Sequence, residues 1–221
     1  MPEMIFFKPD ERDKTLFPHD PFKGMIVPRP VGWISTMNAA GEINLAPYSF
    51  FNAFSSWPMI VGFASESPKD SQAFAVESGE FVWSMATYPL REQMSLTSAP
   101  LPRGESEFEH VGLETAPCRL VKAPRVAASP AALECRVTQV VRLQALDGSL
   151  GGTLVLGQVI GIHVDPRYVK NGRLDAVAMQ PIARCGYDEY TVIDRVFSIV
   201  RPQGAGIAAG GDPRTAVTAA K

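Results

Sequence analysis

The sequence predicts a mainly β fold with helical additions, and three observations carry that expectation. Residues 131–144 are rich in Val, Leu and Thr, and Asp147-Gly148 separates them from a second β-rich run at 154–164, the pattern of two long strands joined by a tight hairpin. Shorter β-rich runs elsewhere are divided by turn residues, and 19 Pro and 18 Gly in 221 residues imply many turns. Helix start and stop signals occur in only a few places and do not alternate regularly with strands, so a small barrel suits the pattern better than repeated βαβ units.

In chain order, residues 31–36 are β-formers that lead through a turn at 38–41 into 43–45, a hairpin. The short apolar run 59–63 follows Pro58 and suits a strand buried on both faces. Ser67-Pro68 has the form of an N-cap and first turn, and the helix it opens runs from Asp70 to a terminating Gly79. Strand composition resumes at 81–86, residues 89–98 read as helix, and 101–107 as a Pro- and Gly-interrupted loop. The expected organisation is one domain over residues 1–202 and a flexible Gly/Ala/Thr tail at 203–221.

A formal charge of −2 gives no broad attraction for nucleic acid or an anionic membrane, so any phosphate must be held locally. Cys118, Cys135 and Cys185 are odd in number and far apart, which indicates neither a disulfide framework nor, by spacing, a metal site. No apolar run is long enough for a signal peptide or a membrane span, and a cytoplasmic protein is the expectation. The segment Gly204-Ala-Gly206-Ile-Ala-Ala209 fits G-x-G-x-x-A, but no strand delivers it and too little chain follows for a ribose-binding acid, so it reads as tail. His163 falls in a strand-like run and reads as structural; His110, in a polar loop, is more open to function.

Two stretches carry chemistry. Residues 44–56 hold three Phe, a Tyr, two Asn and three Ser, too polar for plain core and too aromatic for a plain loop. A heteroaromatic ligand needs that mixture, apolar faces for its rings and polar groups for its edges. Lys69-Asp70-Ser71 opens a helix, where free backbone N–H groups and the dipole favour an anion, and a lysine and a hydroxyl add to a phosphate site. The same residues also fit a solvated surface lysine followed by a capping Asp70 or Ser71.

Taken as an ordered set, Pro28-Arg-Pro-Val-Gly-Trp-Ile-Ser-Thr36, Asn44-Leu-Ala-Pro-Tyr-Ser-Phe50, Ser56-Trp-Pro-Met-Ile60, Lys69-Asp-Ser71, Ser106-Glu-Phe-Glu-His110, Leu133-Glu-Cys135 and Pro181-Ile-Ala-Arg-Cys-Gly-Tyr-x-x-Tyr190 resemble the flavin reductase-like, FMN-binding split-barrel family, its flavoredoxin-like branch most. The resemblance implies a six-stranded Greek-key split β-barrel that forms a homodimer with FMN at the subunit interface. It implies that Ser35, Thr36, Ser49, Phe50, Phe51 and Asn52 line the isoalloxazine and ribityl chain, and that Ser65, Lys69, Asp70 and Ser71 hold the phosphate, Asp70 through its backbone N–H. Phe108 and His110 are the candidates for contacts across the interface. Ser71 stands where many relatives carry threonine, which keeps the hydroxyl, and Trp57 stands where a second proline is common, which leaves that turn open. The implied activity is NAD(P)H-dependent flavin reduction, with a monooxygenase as one possible acceptor. An electron-transfer flavoprotein or a flavin-binding module without turnover fits the same residues. The cofactor carries the redox chemistry, so no catalytic acid or base is singled out.

Overall fold

A computed structural model describes residues 3–200. The expected tail at 203–221 and the G-x-G-x-x-A segment at 204–209 lie outside the described residues. Seven strands form one antiparallel sheet: β1 (Gly32–Met37), β2 (Ile43–Tyr48), β3 (Phe51–Ser56), β4 (Met59–Ser65), β5 (Glu80–Met85), β6 (Ala131–Gln144) and β7 (Leu150–Val164). Their spatial order is β2-β1-β5-β6-β7-β4-β3.

β2 and β3 occupy opposite edges of this sheet, yet only Ser49 and Phe50 join them, so the sheet must curl until its edges meet. The path from β4 to β5 passes over the places that β6 and β7 fill later, a Greek-key route. Counted as one excursion bent at Ser49-Phe50, β2 and β3 bring the seven strands to the six that the resemblance implies.

The side-chain alternation of the strands builds two apolar layers. Inside the barrel, Ile34, Phe51, Phe63, Phe81, Cys135 and Val155 meet Ala75 of helix α1 (Asp70–Ser78), which plugs one end. Phe51 stacks on Trp83 with ring centroids 5.7 Å apart and planes 2° from parallel. On the outer face, Trp33, Leu45, Met94, Phe108 and Val126 pack beneath α2 (Arg91–Leu96) and α3 (Glu107–His110). The Trp33 indole N–H donates to Thr97 Oγ1 at 3.0 Å, which satisfies a polar group that burial would otherwise strand.

Three sequence expectations change. β2 runs on through Pro47 to Tyr48, tolerating the proline because it is an edge strand. The aromatic and polar segment after Phe50, whose composition fits neither plain core nor plain loop, forms β3, and its hairpin turn contains the cis bond Trp57–Pro58. The second arm of the long hairpin starts at Leu150, earlier than the expected 154, with a register irregularity absorbing Gly151 and Gly152. Helix α1 matches its expected span, but its N-cap is Lys69 rather than Ser67, and Gly79 closes it in the left-handed region at φ 72°.

Gly32 is where the closing edge comes nearest. A Cβ on it would lie 2.7 Å from both Cβ and Cγ of Phe51, atoms too close to the backbone to swing aside. Gly32→Ala is therefore expected to lower stability by about 1–3 kcal/mol, the usual range for an overpacked site, as read by urea denaturation followed by far-UV circular dichroism.

Candidate functional site

The start of α1 has the features of an anion site. The N–H groups of Asp70, Ser71 and Gln72 precede the first intrahelical bond, Ala73 N–H to Lys69 O, and Lys69 supplies no side-chain cap. The Lys69 ammonium is exposed and makes no hydrogen bond or ion pair with any described residue. The Asp70 carboxylate, which would repel an anion here, is turned to Arg103 at 2.5 Å. Behind the helix start, the Ser71 hydroxyl donates to Asn44 Oδ1, and Asn44 Nδ2 donates to Glu107 Oε1 at 2.8 Å. The other Glu107 oxygen accepts the Leu45 N–H at 2.8 Å. This chain of bonds fixes α1 against β2. Burial raises the Glu107 pKa, and the bonds from Leu45 and Asn44 oppose that rise.

Two clefts meet at the wall formed by Pro47, Tyr48 and Ser98. The one at the helix start, about 280 Å³, includes Asn44, Lys69, Ser71 and Glu107 in its lining. The second, about 440 Å³, is lined by His19, Lys23, Arg29, Ser49, Arg184, Tyr187 and Tyr190 among others. Together they fall within the ~300–1,000 Å³ typical of small-molecule sites. The far wall of the second is a small sheet in which Arg29–Pro30 pairs with Ile182–Arg184, which pairs in turn with Tyr190–Val192. Residues more than 150 positions apart are joined there, as Arg29 donates to Ile26 O at 2.6 Å and to Cys185 O at 2.9 Å, and also to Lys23 O. Arg184 donates to Tyr190 Oη at 2.6 Å, and His19 meets Tyr187 edge-on with centroids 5.6 Å apart.

At the shared wall the Tyr48 hydroxyl is buried, close to the Ser71 and Ser65 hydroxyls but without a well-formed hydrogen bond to either. Burial pushes its pKa up, against the influence of the nearby Ser71 and Ser65 hydroxyls. Thr36 Oγ1, whose residue pairs with Asn44 across the β1–β2 ladder, is likewise buried and unpartnered. The buried Tyr48 hydroxyl at the shared wall, the unpaired lysine and the free helix N–H groups are what a polar, phosphorylated ligand would complete, so the residues present fit FMN.

The sequence-expected residues divide into two groups. Lys69, Asp70 and Ser71 come together at one cleft, and Ser49 lines the other. Ser65 is buried just behind, its hydroxyl donating to Ser67 O at 2.6 Å. Phe50, at the bend, carries the Lys23 ammonium 5.3 Å from its ring centre. The remaining four lie off the clefts. Ser35 faces out of the barrel and donates to Pro124 O, while Thr36 points to the opposite side of the same strand. Phe51 is core, and the exposed Asn52 bonds to the Ala53 N–H at 2.9 Å. Of the proposed interface contacts, Phe108 is buried in the outer apolar cluster and His110 is exposed. Sequence reasoning assigned no role to Arg29, Arg184, Tyr187, Tyr190 and Glu107, although all stand inside the segments that carry the family resemblance and could have been flagged as charged or aromatic residues within them.

The model of the flavin reductase like domain matches residues 24–177, a span that holds the whole sheet and the helix-start cleft. The chain belongs to the flavin reductase like domain family. It is 32% identical over 184 residues to an uncharacterized protein of Halalkalibacterium halodurans, covering 81% of this chain and 88% of the relative. An uncharacterized protein of Deinococcus radiodurans is 38% identical over 175 residues, covering 73% and 74%. Among solved structures, nitrilotriacetate monooxygenase component B from Bacillus cereus superposes with a TM-score of 0.82 at 27% identity, covering 90% of this chain and all of the other. Flavoredoxin of Desulfovibrio vulgaris (Miyazaki F) shares the fold at a TM-score of 0.68 and 18% identity, covering 83% and 93%. The fold is thus the mainly β split barrel of flavin-binding relatives.

Glu107 supports the helix-start cleft by accepting on both oxygens. In Glu107→Gln an amide N–H₂ must face one of those donors, so stability at neutral pH should fall by about 1–3 kcal/mol in urea denaturation, the range for a buried polar group left unsatisfied.

Proposed function

We propose that this chain binds FMN and works as an NAD(P)H-dependent flavin oxidoreductase in a homodimer, with a monooxygenase as the class of acceptor. The observation that carries the reading is the start of α1, where an unpaired Lys69, the Ser71 hydroxyl and free N–H groups converge on one cleft. A terminal phosphate matches the Lys69 charge and the free N–H groups, and the Ser71 hydroxyl, which donates to Asn44 here, would turn to join them, a donor set that favours FMN over FAD. The family membership and the 27% identity to a monooxygenase component support the oxidoreductase and acceptor parts.

When bound, FMN supplies two-electron redox chemistry between a reduced nicotinamide and an acceptor. The protein's task is then to bind, orient and shield. Lys69 and Ser71 hold the phosphate, Tyr48 offers its unpartnered hydroxyl to the polar chain, and Pro47 forms the apolar wall next to the larger cleft. There His19, Tyr187 and Tyr190 supply aromatic groups, and Lys23 and Arg184, which pair with Glu66 and Asp188, supply positive charge for a second nucleotide. The homodimer reading rests on apolar surface: Val140, Leu143, Leu146 and Leu150 are exposed on the long β6–β7 hairpin.

Lys69→Ala should raise the FMN dissociation constant on the order of tenfold or more, because a charge-assisted contact is worth roughly 1.5–3 kcal/mol. Quenching of flavin fluorescence measures it, and an unchanged constant would place the phosphate elsewhere. Under anaerobic conditions NADH or NADPH alone should bleach the FMN-loaded protein within seconds, and air should restore the colour. Reduction by dithionite but by neither nicotinamide would overturn the reductase reading in favour of an electron-transfer flavoprotein. Light scattering should give twice the chain mass.

A further inference from the structure

Far from the clefts, on the outer face of β6 and β7, Cys118, Glu134 and His163 bring a thiol sulfur, a carboxylate oxygen and an imidazole nitrogen within 4.8 Å of one another. They come from different parts of the chain, Cys118 from a covering loop, Glu134 from β6 and His163 from β7. β1 and β5 separate them from β2 and its clefts, so the flavin reading makes no use of them.

The geometry of Glu134 is that of a held ligand. Its side chain is 1% exposed, and three of its lone pairs accept backbone N–H groups, Arg119 at 2.9 Å, Leu120 at 2.6 Å and Val121 at 3.1 Å. The remaining position on Oε1 faces His163 Nε2 at 2.5 Å. Gly161, paired with Glu134 across the ladder, gives the carboxylate room, since a Cβ there would come within 3.2–3.4 Å of three of its side-chain carbons. Cys118 and His163 are half-buried, and an adjoining cleft of about 420 Å³ lined by Arg119, Glu134, Gly161 and His163 leaves space for a water molecule.

We propose that Cys118, Glu134 and His163 form a binding site for a zinc ion, with a solvent molecule as the fourth ligand. Thiolate, imidazole and a single carboxylate oxygen are the donor types zinc prefers, and three protein ligands with an open position fit its tetrahedral habit. The three backbone N–H groups act as the outer shell that fixes the carboxylate's direction. On binding, the ion takes the place of the proton shared by His163 and Glu134, and Cys118 gives up its thiol proton to water. Burial first, and then the Glu134 carboxylate, push the Cys118 thiol up to about 12, whereas the Arg125 charge favours the thiolate, so the metal itself must drive the deprotonation. Because the ligands are 16 and 29 residues apart in sequence, no short motif marks the site.

The test uses untagged full-length protein stripped with a chelator, titrated with Zn²⁺ in competition with a chromophoric chelator and separately with Co²⁺. One equivalent of zinc is expected, and the cobalt protein should show tetrahedral visible bands together with a near-ultraviolet thiolate-to-metal band. Cys118→Ser and His163→Ala should each weaken zinc on the order of 10–100-fold or more, and Cys118→Ser should abolish the thiolate band. Lys69→Ala should leave zinc binding unchanged, which separates this site from the flavin cleft. No zinc retained at micromolar concentration, a cobalt spectrum without the thiolate band, or affinity unchanged in both ligand variants would each overturn the proposal. Since the cobalt spectrum is read on the unaltered chain, a variant that fails to fold does not remove the test.

Discussion

Joining opposite edges of a seven-stranded sheet with only Ser49 and Phe50 is the constraint from which most of this molecule follows. The three Cα–Cα steps from Tyr48 to Phe51 span at most ~11 Å, so the edges must close on each other and the sheet becomes a barrel. Closure presses Phe51 against Gly32 and lays its ring flat on Trp83, which leaves no room for a side chain at position 32. It also leaves Pro47 and Tyr48 at the end of an edge strand, beside α1, where both clefts open. The barrel thus locates the candidate flavin site as a by-product of the way its own chain closes.

Much of the fold was legible because its signals are local. The Asp147-Gly148 hairpin, the helix ending at Gly79 and the mainly β class each rest on neighbouring residues, and each matches the structure. The boundaries of β2 and β3 were not legible, because Pro47 and the polar residues of 52–56 look like loop by propensity. What makes them strands is position: both stand at sheet edges, with one side free of ladder bonds, so proline and serine are tolerated there. Edge status is a property of the tertiary arrangement and leaves little trace in the sequence itself.

The candidate site divides in the same way. The helix start at Asp70, on which the proposed phosphate site rests, could be read from Ser67-Pro68 and Lys69-Asp70-Ser71, since a helix N-terminus is a local object. Which way Ser35 and Thr36 point could not be read from the sequence, because adjacent strand residues face opposite sides and only the register against β2 decides which side is which. The far wall of the larger cleft, with Arg29 beside Arg184, depends on pairing between the first and last thirds of the chain. The Cys118, Glu134 and His163 cluster is hidden for the same reason, being assembled by the β6–β7 ladder and a covering loop.

Pro47 and Tyr48 belong to both clefts at once, so the two are not independent compartments. Any change of affinity that a phosphate-bearing ligand at α1 produces in the larger cleft must be returned in equal measure, because coupling between two binding equilibria is reciprocal. Tyr48 is anchored in the barrel core beside Phe63, their ring centroids 4.9 Å apart, so any such exchange would have to act through the packing of the barrel itself.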